Sequence, residues 1–439
     1  MTELIILLVF AVSLFVCSLM SVSLVPALVV ALVVFFVYGK LKGVSLRKLA
    51  HASLCSVQSA SKILSAFVLI GLLTATWRAS GTIAFIVEGC VGVFPSVVML
   101  LGTFLLCCFM SFLTGTAFGT ASTMGVICAS VCMAMGVPMI LVGGAVLSGS
   151  YFGDRCSPLS TSALLVGSLS ETKVADNIPA MVKTSVIPFL LTGALYAVLG
   201  FVFSSEGASA EAFSVDGIAS AFVLNIWTVV PALLALGLSF LRFDIRITLA
   251  VSVVSAGVIA VSVQEIPLES LAYICVFGYE SASAEMSLFS GGGVMSMVNV
   301  IAIVLISSCY AGIFNETAFF QNLKKLIVNI AKRTHAFFAY IVTSFITSVI
   351  ACNQTLSIML TSHICEDLKC EKKTSAIYLE NSVVLIAPLI PWSIAAAVPL
   401  STIGAGFESI LVAFFLYLVP LYNVVKAFVR KKTKVVRER

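Results

Sequence analysis

Two acidic residues stand in parts of the sequence that are otherwise apolar and interrupted by helix breakers. Asp154 lies in a segment from Gly149 to Ser162 that holds two glycines, a proline and several hydroxyl side chains. Glu380 begins a second segment, which extends to Ser401 and contains three prolines. A carboxylate at the centre of a bilayer costs roughly 2.5–3.5 kcal/mol on insertion scales, so it needs a proton, a partner or a cation. These residue types predict a site that handles cations and protons.

Oxygen-bearing side chains accompany both acidic residues, and hard cations such as Na⁺ prefer oxygen ligands. Broken helices add backbone carbonyls and helix ends to such a site. Asp154 is the predicted Na⁺ or proton ligand. The remaining predicted ion- or substrate-binding residues are Thr114, Thr116, Ser157, Ser160, Thr161, Asn353, Gln354, Thr355, Glu380, Asn381 and Ser393.

Structural alternatives stay open for several of these residues. Asp154 has Arg155 as its neighbour, so a static ion pair between them is one alternative, and a helix cap is another. Glu380 is also compatible with a cap at the membrane interface. The Gly115 and Gly119 pair has the spacing that is typical of close helix packing rather than of a binding site.

Composition places the site in a membrane protein. The chain has 439 residues, of which 60% are hydrophobic and 10% charged, and its mean hydropathy is +1.14. Soluble domains carry roughly 25% charged residues, so a soluble enzyme, a nucleic-acid binder and a disordered scaffold are excluded. With about 20 residues per span, we expect about ten to twelve spans. The sequence contains no C-x-x-C pair, nucleotide-binding motif or nucleophile–base cluster, so we expect neither an enzyme nor a cofactor beyond transported Na⁺ or H⁺.

Charged stretches predict the topology, because positive residues favour the cytoplasmic side. Basic stretches at 40–62, 242–246 and 324–333 and the basic tail are therefore placed inside, together with both termini, and the acidic stretch is placed outside. The predicted units are a first membrane repeat (1–203), an acidic extracytoplasmic linker (204–218), a second membrane repeat (219–428) and a basic cytoplasmic tail (429–439).

The two halves carry similar blocks in the same order. SFLTGTAFGTASTMGVI is followed by SGSYFGDRCSPLSTSALL in the first half, and FITSVIACNQTLSIMLTS by YLENSVVLIAPLIPWSIAA in the second. Weak internal symmetry of this kind is typical of transporters built from inverted repeats, although two apolar blocks with scattered polar residues can also be similar by chance. The predicted fold is an all-α polytopic membrane protein with two inverted repeats, broken helices and re-entrant hairpins.

The same blocks resemble the NhaC family of sodium/proton antiporters over nearly the whole chain. The most specific motifs are YFGD-x-x-SPLS, in which Asp154 matches the family's acidic residue, and PLIPW after Glu380. The resemblance implies an inner-membrane carrier that forms homodimers and moves a transport domain like an elevator. Its expected partners are membrane lipid and a small ion or small-molecule substrate, with no nucleic acid.

Departures from the family pattern leave two functions open. Thr161-Ser162-Ala163-Leu164 stands where Asp-Thr-Thr-Asn is usual, and Asn381 and Asn353 each stand where an Asp is common. Ser393 likewise replaces a common Asn. Fewer fixed negative charges weaken the binding of a bare cation and suit an anionic or zwitterionic substrate better. The leading prediction is Na⁺/H⁺ exchange by alternating access, and the alternative is Na⁺- or H⁺-coupled transport of a small organic acid or amino acid.

Overall fold

The computed structural model describes residues 22–437 apart from 92, 207–220, 282–289 and 318–320, together with scattered residues before 22. Over these residues the chain is helical, and the only strand-like pairing described is an isolated bridge between Tyr279 and Gly291. This confirms the helical membrane class at the coarse level. The linker predicted at 204–218 falls almost wholly outside the described residues, as do the side chains of the tail from 430 onward.

The helices of the first half include a long, nearly continuous pair at their start and several short pieces around Asp154. They are α1 (Val25–Leu41), α2 (Leu46–Ala79), α3 (Thr82–Val91), α4 (Ser96–Thr114), α5 (Ala117–Ala134), α6 (Met139–Cys156), α7 (Thr161–Leu169) and α8 (Val174–Glu206). Within α5, residues Ala121–Gly125 form a π-helical turn, a feature that often accompanies functional sites.

The helices of the second half become short and interrupted toward the C-terminal end. They are α9 (Val230–Phe240), α10 (Ile245–Ser262), α11 (Leu268–Phe277), α12 (Val298–Thr317), α13 (Gln321–Arg333), α14 (Ala336–Ala351), α15 (Gln354–Cys365), α16 (Lys372–Glu380), α17 (Val383–Ile386), α18 (Ile394–Ile403) and α19 (Phe414–Arg437).

Helix length and composition support a membrane location without fixing the number of spans. Five described helices are long and apolar enough to cross a bilayer, and two bent pairs bring the total to as many as seven. The bends are 65° between α2 and α3, and 54° between the α16–α17 segment and α18. A nine-residue helix such as α7 is only about 14 Å long, less than half the hydrocarbon thickness. The expected ten to twelve spans therefore stay a prediction.

Helix α6 runs through the centre of the molecule. Between Leu141 and Cys156 every one of its residues except Phe152 is buried, as expected for a helix that is surrounded by other helices on all sides. It makes its most extensive contact with α4. Asp154 lies near the C-terminal end of this buried helix and therefore in the interior of the protein.

A pair of glycines allows α6 and α4 to approach closely. A Cβ atom at Gly149 would lie 2.5 Å from Cβ of Cys107, and one at Gly153 would lie 2.0 Å from the carbonyl carbon of Ser111. Gly-x-x-x-Gly spacing on one helix face is the standard arrangement for such backbone contact. Gly115 and Gly119 do not form such a helix-packing pair, since Gly115 lies between α4 and α5 and outside both helices.

Candidate functional site

The candidate site is formed where four helix breaks of the described chain come together. The first break, Gly115–Thr116, separates α4 from α5, and the second, Ser157–Ser160, separates α6 from α7. The third, Cys352–Asn353, separates α14 from α15. The fourth, Ile390–Ser393, precedes α18. Two breaks come from each half of the chain, in the blocks that the sequence comparison of the halves had picked out.

The first and third breaks have the same local conformations in the same order. Gly115 and Cys352 both end a helix in the left-handed region, at φ of 67° and 52°. The next residue is extended and caps the following helix with its side chain. Thr116 accepts a hydrogen bond from the Gly119 amide at 3.3 Å, and Asn353 accepts one from the Thr355 amide at 2.9 Å. Such caps satisfy amides that the helix itself leaves unpaired.

The second and fourth breaks also resemble each other, since each contains a proline and ends in a capping serine. Ser160 accepts hydrogen bonds from the amides of Ser162 and Ala163 at 3.1 and 3.2 Å. Ser393 accepts one from the amide of Ala395 at 3.3 Å. These caps hold the N-terminal ends of α7 and α18 toward the centre of the protein, where helix ends favour negative charge.

Within each half, the two breaks are in contact. A Cβ atom at Gly115 would lie 2.6 Å from the carbonyl carbon of Leu159, so only glycine fits against the second break. In the second half, the amide of Ile394 donates to the carbonyl of Cys352 at 2.9 Å. Between the halves, the Tyr151 hydroxyl donates to the carbonyl of Ala395 at 2.7 Å. The two breaks of each half are therefore in contact, and the hydrogen bond between α6 and α18 holds the two pairs close together around one centre.

Asp154 lies at this centre and is only 3% exposed. One carboxylate oxygen, Oδ2, accepts hydrogen bonds from the Ser162 hydroxyl at 2.9 Å and from Gln354 Nε2 at 3.0 Å. The other, Oδ1, lies 3.3 Å from the Ser160 hydroxyl, which also donates to the Asp154 backbone carbonyl. Every described hydrogen-bonding partner of the carboxylate is uncharged, so none of them neutralises it.

Gln354 joins the two halves of the chain at Asp154. It is the first residue of α15, and its Nε2 also donates to the carbonyl of Val384 in α17 at 3.0 Å. Its amide oxygen lies 3.2 Å from the hydroxyl of Ser162. A carboxylate, two hydroxyls and an amide oxygen thus converge, which is an all-oxygen donor set of the kind that suits Na⁺.

Arg155 does not pair with Asp154, which removes the static ion pair as an explanation for that carboxylate. Adjacent helical residues point in different directions, and Arg155 turns toward α8 and α16. Its guanidinium donates to the carbonyls of Glu380 and Met181 at 3.2 and 3.0 Å, to the Thr184 hydroxyl at 2.8 Å and to Asn381 Oδ1. This side chain is fully buried.

Glu380 is also fully buried, and neither of its carboxyl oxygens has a hydrogen-bond partner among the described residues. The charges acting on it are those of Arg155, which is opposite in sign, and Asp154, which is like in sign. A buried carboxylate without donors is costly. The carboxyl group accepts no hydrogen bond from a described helix amide, so it does not act as a helix cap in this structure.

The other predicted site residues are spread around the breaks. Thr161 and Thr355 are exposed, whereas Thr114 is half-buried and lies 3.4 Å from the hydroxyl of Thr120. Ser157 is buried, and its hydroxyl accepts from the amide of Leu159 at 3.2 Å. The structure thus brings Ser160 and Gln354 to Asp154, keeps Asn381 beside Arg155, and places Thr116, Asn353 and Ser393 as caps.

Sequence reasoning underestimated two residues. The sequence pattern includes Ser162 only as part of the polar segment, yet its hydroxyl donates directly to the carboxylate; its position two residues after the cap Ser160 is the signal that the sequence offers. The sequence pattern indicates Arg155 only as a partner of Asp154. A fully buried arginine outside any described ion pair is rare, and its surroundings depend on contacts more than 200 residues away that no local pattern reveals.

The Gln354 contact leads to a prediction. Gln354→Leu removes a hydrogen-bond donor to the carboxylate and an amide oxygen from the donor set, while keeping a similar volume. Hydrogen bonds to charged groups are worth about 1.5–3 kcal/mol, so we expect the Na⁺ concentration for half-maximal transport to rise at least about tenfold. Thr355→Val is the matched control, because that side chain is exposed. Equal half-maximal concentrations in both variants would exclude Gln354 from the site.

Known families and proteins resemble this chain over most of its length. The sequence model of the Na⁺/H⁺ antiporter family matches residues 6–168 and 149–429, which together cover most of the chain. The overlap of the two matches, 149–168, contains the end of α6, the second break and α7. The family match therefore includes all four breaks and both buried carboxyl groups.

Individual relatives share about a quarter of their residues with this chain. The malate-2H⁺/Na⁺-lactate antiporter of Bacillus subtilis is 26% identical over 84% of this chain and 81% of its own length. The Na⁺/H⁺ antiporter NhaC of Alkalihalophilus pseudofirmus is 26% identical over 90% of this chain and 88% of its own. The arginine/ornithine antiporter ArcD of Halobacterium salinarum is 27% identical over 82% and 77%. The similarity extends through both halves, and these relatives carry different solutes.

Proposed function

The chain belongs to the Na⁺/H⁺ antiporter family, and we propose from this premise that Asp154 is the carboxylate at which it exchanges Na⁺ for H⁺ across the membrane. The observation that carries the proposal is the set of neutral oxygen donors around a buried carboxylate. Its described contacts are Ser160, Ser162 and Gln354, none of which is a cation. Because the carboxylate has no fixed cationic partner among the described residues, its negative charge is available to bind a transported cation.

The exchange follows from competition for one negative charge. Na⁺ needs the ionised carboxylate, with the hydroxyls of Ser160 and Ser162 and the amide oxygen of Gln354 as further ligands. A proton removes that charge and so removes the attraction for Na⁺. Binding of one ion therefore excludes the other, and low pH weakens Na⁺ binding. Glu380, which is buried without described donors, is the second group that accepts a proton when the site is rearranged.

Alternating access follows from the closure of the site. Because Asp154 is 3% exposed, an ion reaches it only after the surrounding segments move. The four breaks supply places where backbone angles can change without disrupting a continuous helix. The first and second breaks are in contact, and so are the third and fourth. This contact supports movement of each pair of breaks as a unit. Their matching local conformations support an internal repeat.

The membrane topology and location of the exchanger are proposed from the distribution of its basic residues. Described basic residues include Lys40, Lys42, Arg242 and Arg246 at helix ends, and positive residues favour the cytoplasmic side. We place both termini there and the protein in the cytoplasmic membrane. Inverted orientation of the repeats and assembly as a homodimer complete the proposed arrangement.

Reconstitution tests the exchange directly. In liposomes that contain the purified protein and a preset pH gradient, acid inside, addition of external Na⁺ is expected to dissipate the gradient, as reported by a fluorescent amine. Replacing Na⁺ by choline at equal concentration is the control. A gradient that persists equally in Na⁺ and choline would reject Na⁺/H⁺ exchange for this chain.

A second candidate function is exchange or symport of a small organic acid coupled to these ions. It is favoured by one observation: the described hydrogen-bond acceptors around the fully buried Arg155 are all uncharged. A relative from Bacillus subtilis is named for malate and lactate exchange. In this candidate, Asp154 holds the coupling ion, and the organic acid occupies a different, positively charged place.

A further inference from the structure

We propose that a cleft between α8, α14, α16 and α19 binds a small organic carboxylate, whose charge compensates Arg155. The inference rests on the second candidate function and supplies a location for its substrate. It identifies a site whose described lining does not include Asp154. The lining side chains are those of a binding site for an anion and not for a cation.

The cleft has a volume of about 400 Å³, within the ~300–1,000 Å³ that ligand pockets occupy. Its basic lining residues are His335, Lys373 and Lys426, and its described lining contains no Asp or Glu. Polar side chains line it as well, including Thr184, Asn381 and Asn423. His335 accepts a hydrogen bond from the Phe337 amide through Nδ1, so the fixed positive charges of the lining are the two lysines; with no acidic residue in the described lining, they attract anions to the cleft.

Arg155 lies directly behind this lining. Its Nη2 donates to the hydroxyl of Thr184 at 2.8 Å and to Oδ1 of Asn381, and both of these side chains line the cleft. Ion pairs in the described part of the chain do not include Arg155. An amide oxygen therefore occupies the position on the guanidinium that a carboxylate oxygen prefers, since arginine matches the planar carboxylate with parallel hydrogen bonds.

The arrangement favours a small carboxylate over the other charged solutes. A cationic amino acid would meet the like charges of Lys373, Lys426 and Arg155 in this lining. A carboxylate that displaces Oδ1 of Asn381 gains the buried arginine, while the lysines at the rim attract a second negative group. Glu380 is positioned to respond, because its backbone carbonyl shares Arg155 with the cleft. Binding in the cleft is thereby connected to the buried carboxyl groups.

Thermal stability in the presence of candidate solutes tests the proposal, because a ligand that binds the folded state raises Tm. The purified full chain is placed in nanodiscs of phosphatidylcholine alone, and malate or lactate is added as choline salts against choline chloride at equal ionic strength. We expect a saturable rise in Tm with malate or lactate and none with arginine. Tm is also measured with inorganic phosphate and, separately, with phosphatidylglycerol added to the nanodiscs, so that a free phosphate and a lipid headgroup are each tested as the anion.

Two cleft variants and one neighbour provide the comparison. Asn381→Asp places a carboxylate on Arg155 within nearly the same volume, and Lys373→Gln removes one charge from the rim; each is expected to weaken carboxylate binding at least tenfold. Lys372→Gln is the matched control. The Lys372 ammonium donates instead to Glu171 and holds the pKa of that exposed carboxyl below its usual value, so carboxylate binding should be unchanged.

The outcomes separate this inference from the Na⁺/H⁺ proposal. An equal shift with phosphate, a shift only with phosphatidylglycerol, or no shift with either carboxylate would overturn the carboxylate site. Tight binding that persists in both cleft variants would also overturn it. Na⁺-driven dissipation of the pH gradient is measured without any organic acid, so its presence without carboxylate binding rejects only the cleft, and its absence with carboxylate binding rejects only Na⁺/H⁺ exchange.

Discussion

Asp154→Asn is expected to abolish Na⁺-driven dissipation of a pH gradient in liposomes, with a loss of at least about 100-fold. The substitution keeps the shape of the side chain and an oxygen that accepts from Ser162. It removes the charge on which both Na⁺ and H⁺ depend. Loss of one partner of a buried charge pair costs about 3–5 kcal/mol, which corresponds to more than two orders of magnitude in affinity.

The variant should remain folded, since the side-chain oxygen of asparagine can keep the position of Oδ2 and accept the hydrogen bonds that Ser162 and Gln354 donate there. Tm and elution on size exclusion are therefore expected to stay close to those of the original protein. Asp176→Asn is the matched control, because Asp176 is exposed in the first turn of α8 and should retain full exchange. Sustained Na⁺/H⁺ exchange in the Asp154 variant would remove that carboxylate from the mechanism.

Gly153→Ala is expected to destabilise the protein more than other single substitutions of a helical glycine. The added methyl group would lie 2.0 Å from the carbonyl carbon of Ser111 and 2.2 Å from the amide nitrogen of Phe112. These are backbone atoms of α4, so no side-chain rotation relieves the overlap. Overpacking of a core costs about 1–3 kcal/mol, and we expect the upper end of this range or more, measured as a fall in Tm.

The control for this prediction is Gly102→Ala, which lies in α4 itself. A Cβ atom there would have no other described atom within 4 Å. Since alanine favours a helix over glycine by about 1 kcal/mol, this variant should be neutral or slightly more stable. If both alanine variants unfold at the same temperature as the original protein, close contact between α4 and α6 is not what supports the site.

Local sequence signals were sufficient for the class of fold and for the segments that form the site. Apolar composition predicted a helical membrane protein, and glycines, prolines and hydroxyl residues around Asp154 and Glu380 predicted broken helices. Breaks occur at Ser157–Ser160 and Ile390–Ser393, within the two segments that the sequence indicates, whereas those at Gly115 and Cys352 lie outside these segments, and Cys352 is left-handed without being glycine. These features depend on neighbouring residues, and a single sequence contains them.

The sequence does not predict how the site residues are arranged in space, because that arrangement depends on contacts between segments far apart in the chain. Gln354 reaches Asp154 across 200 positions of the chain, whereas its neighbour Thr355 faces outward. Both are polar residues with an oxygen in the side chain, and composition does not distinguish between them. Likewise, a helix rotation of about 100° between adjacent residues separates Arg155 from Asp154. Which of the two directions faces Glu380 is decided by packing of α6 against α8 and α16.

The hydrogen bond between Asp154 and Gln354 also bears on how tightly the two ion flows are linked. An exchanger wastes its gradient if it reorients with nothing bound, a failure known as slip. In the ion-free, ionised state one carboxylate oxygen accepts hydrogen bonds from Ser162 of the first half and Gln354 of the second. These hydrogen bonds hold the two halves of the chain together in that state. A proton on this oxygen removes the acceptor for Gln354 Nε2, and Na⁺ binds the amide oxygen of Gln354 in place of that hydrogen bond, so either ion breaks it. We therefore expect the carrier to turn over only when loaded, which is the condition for a fixed stoichiometry.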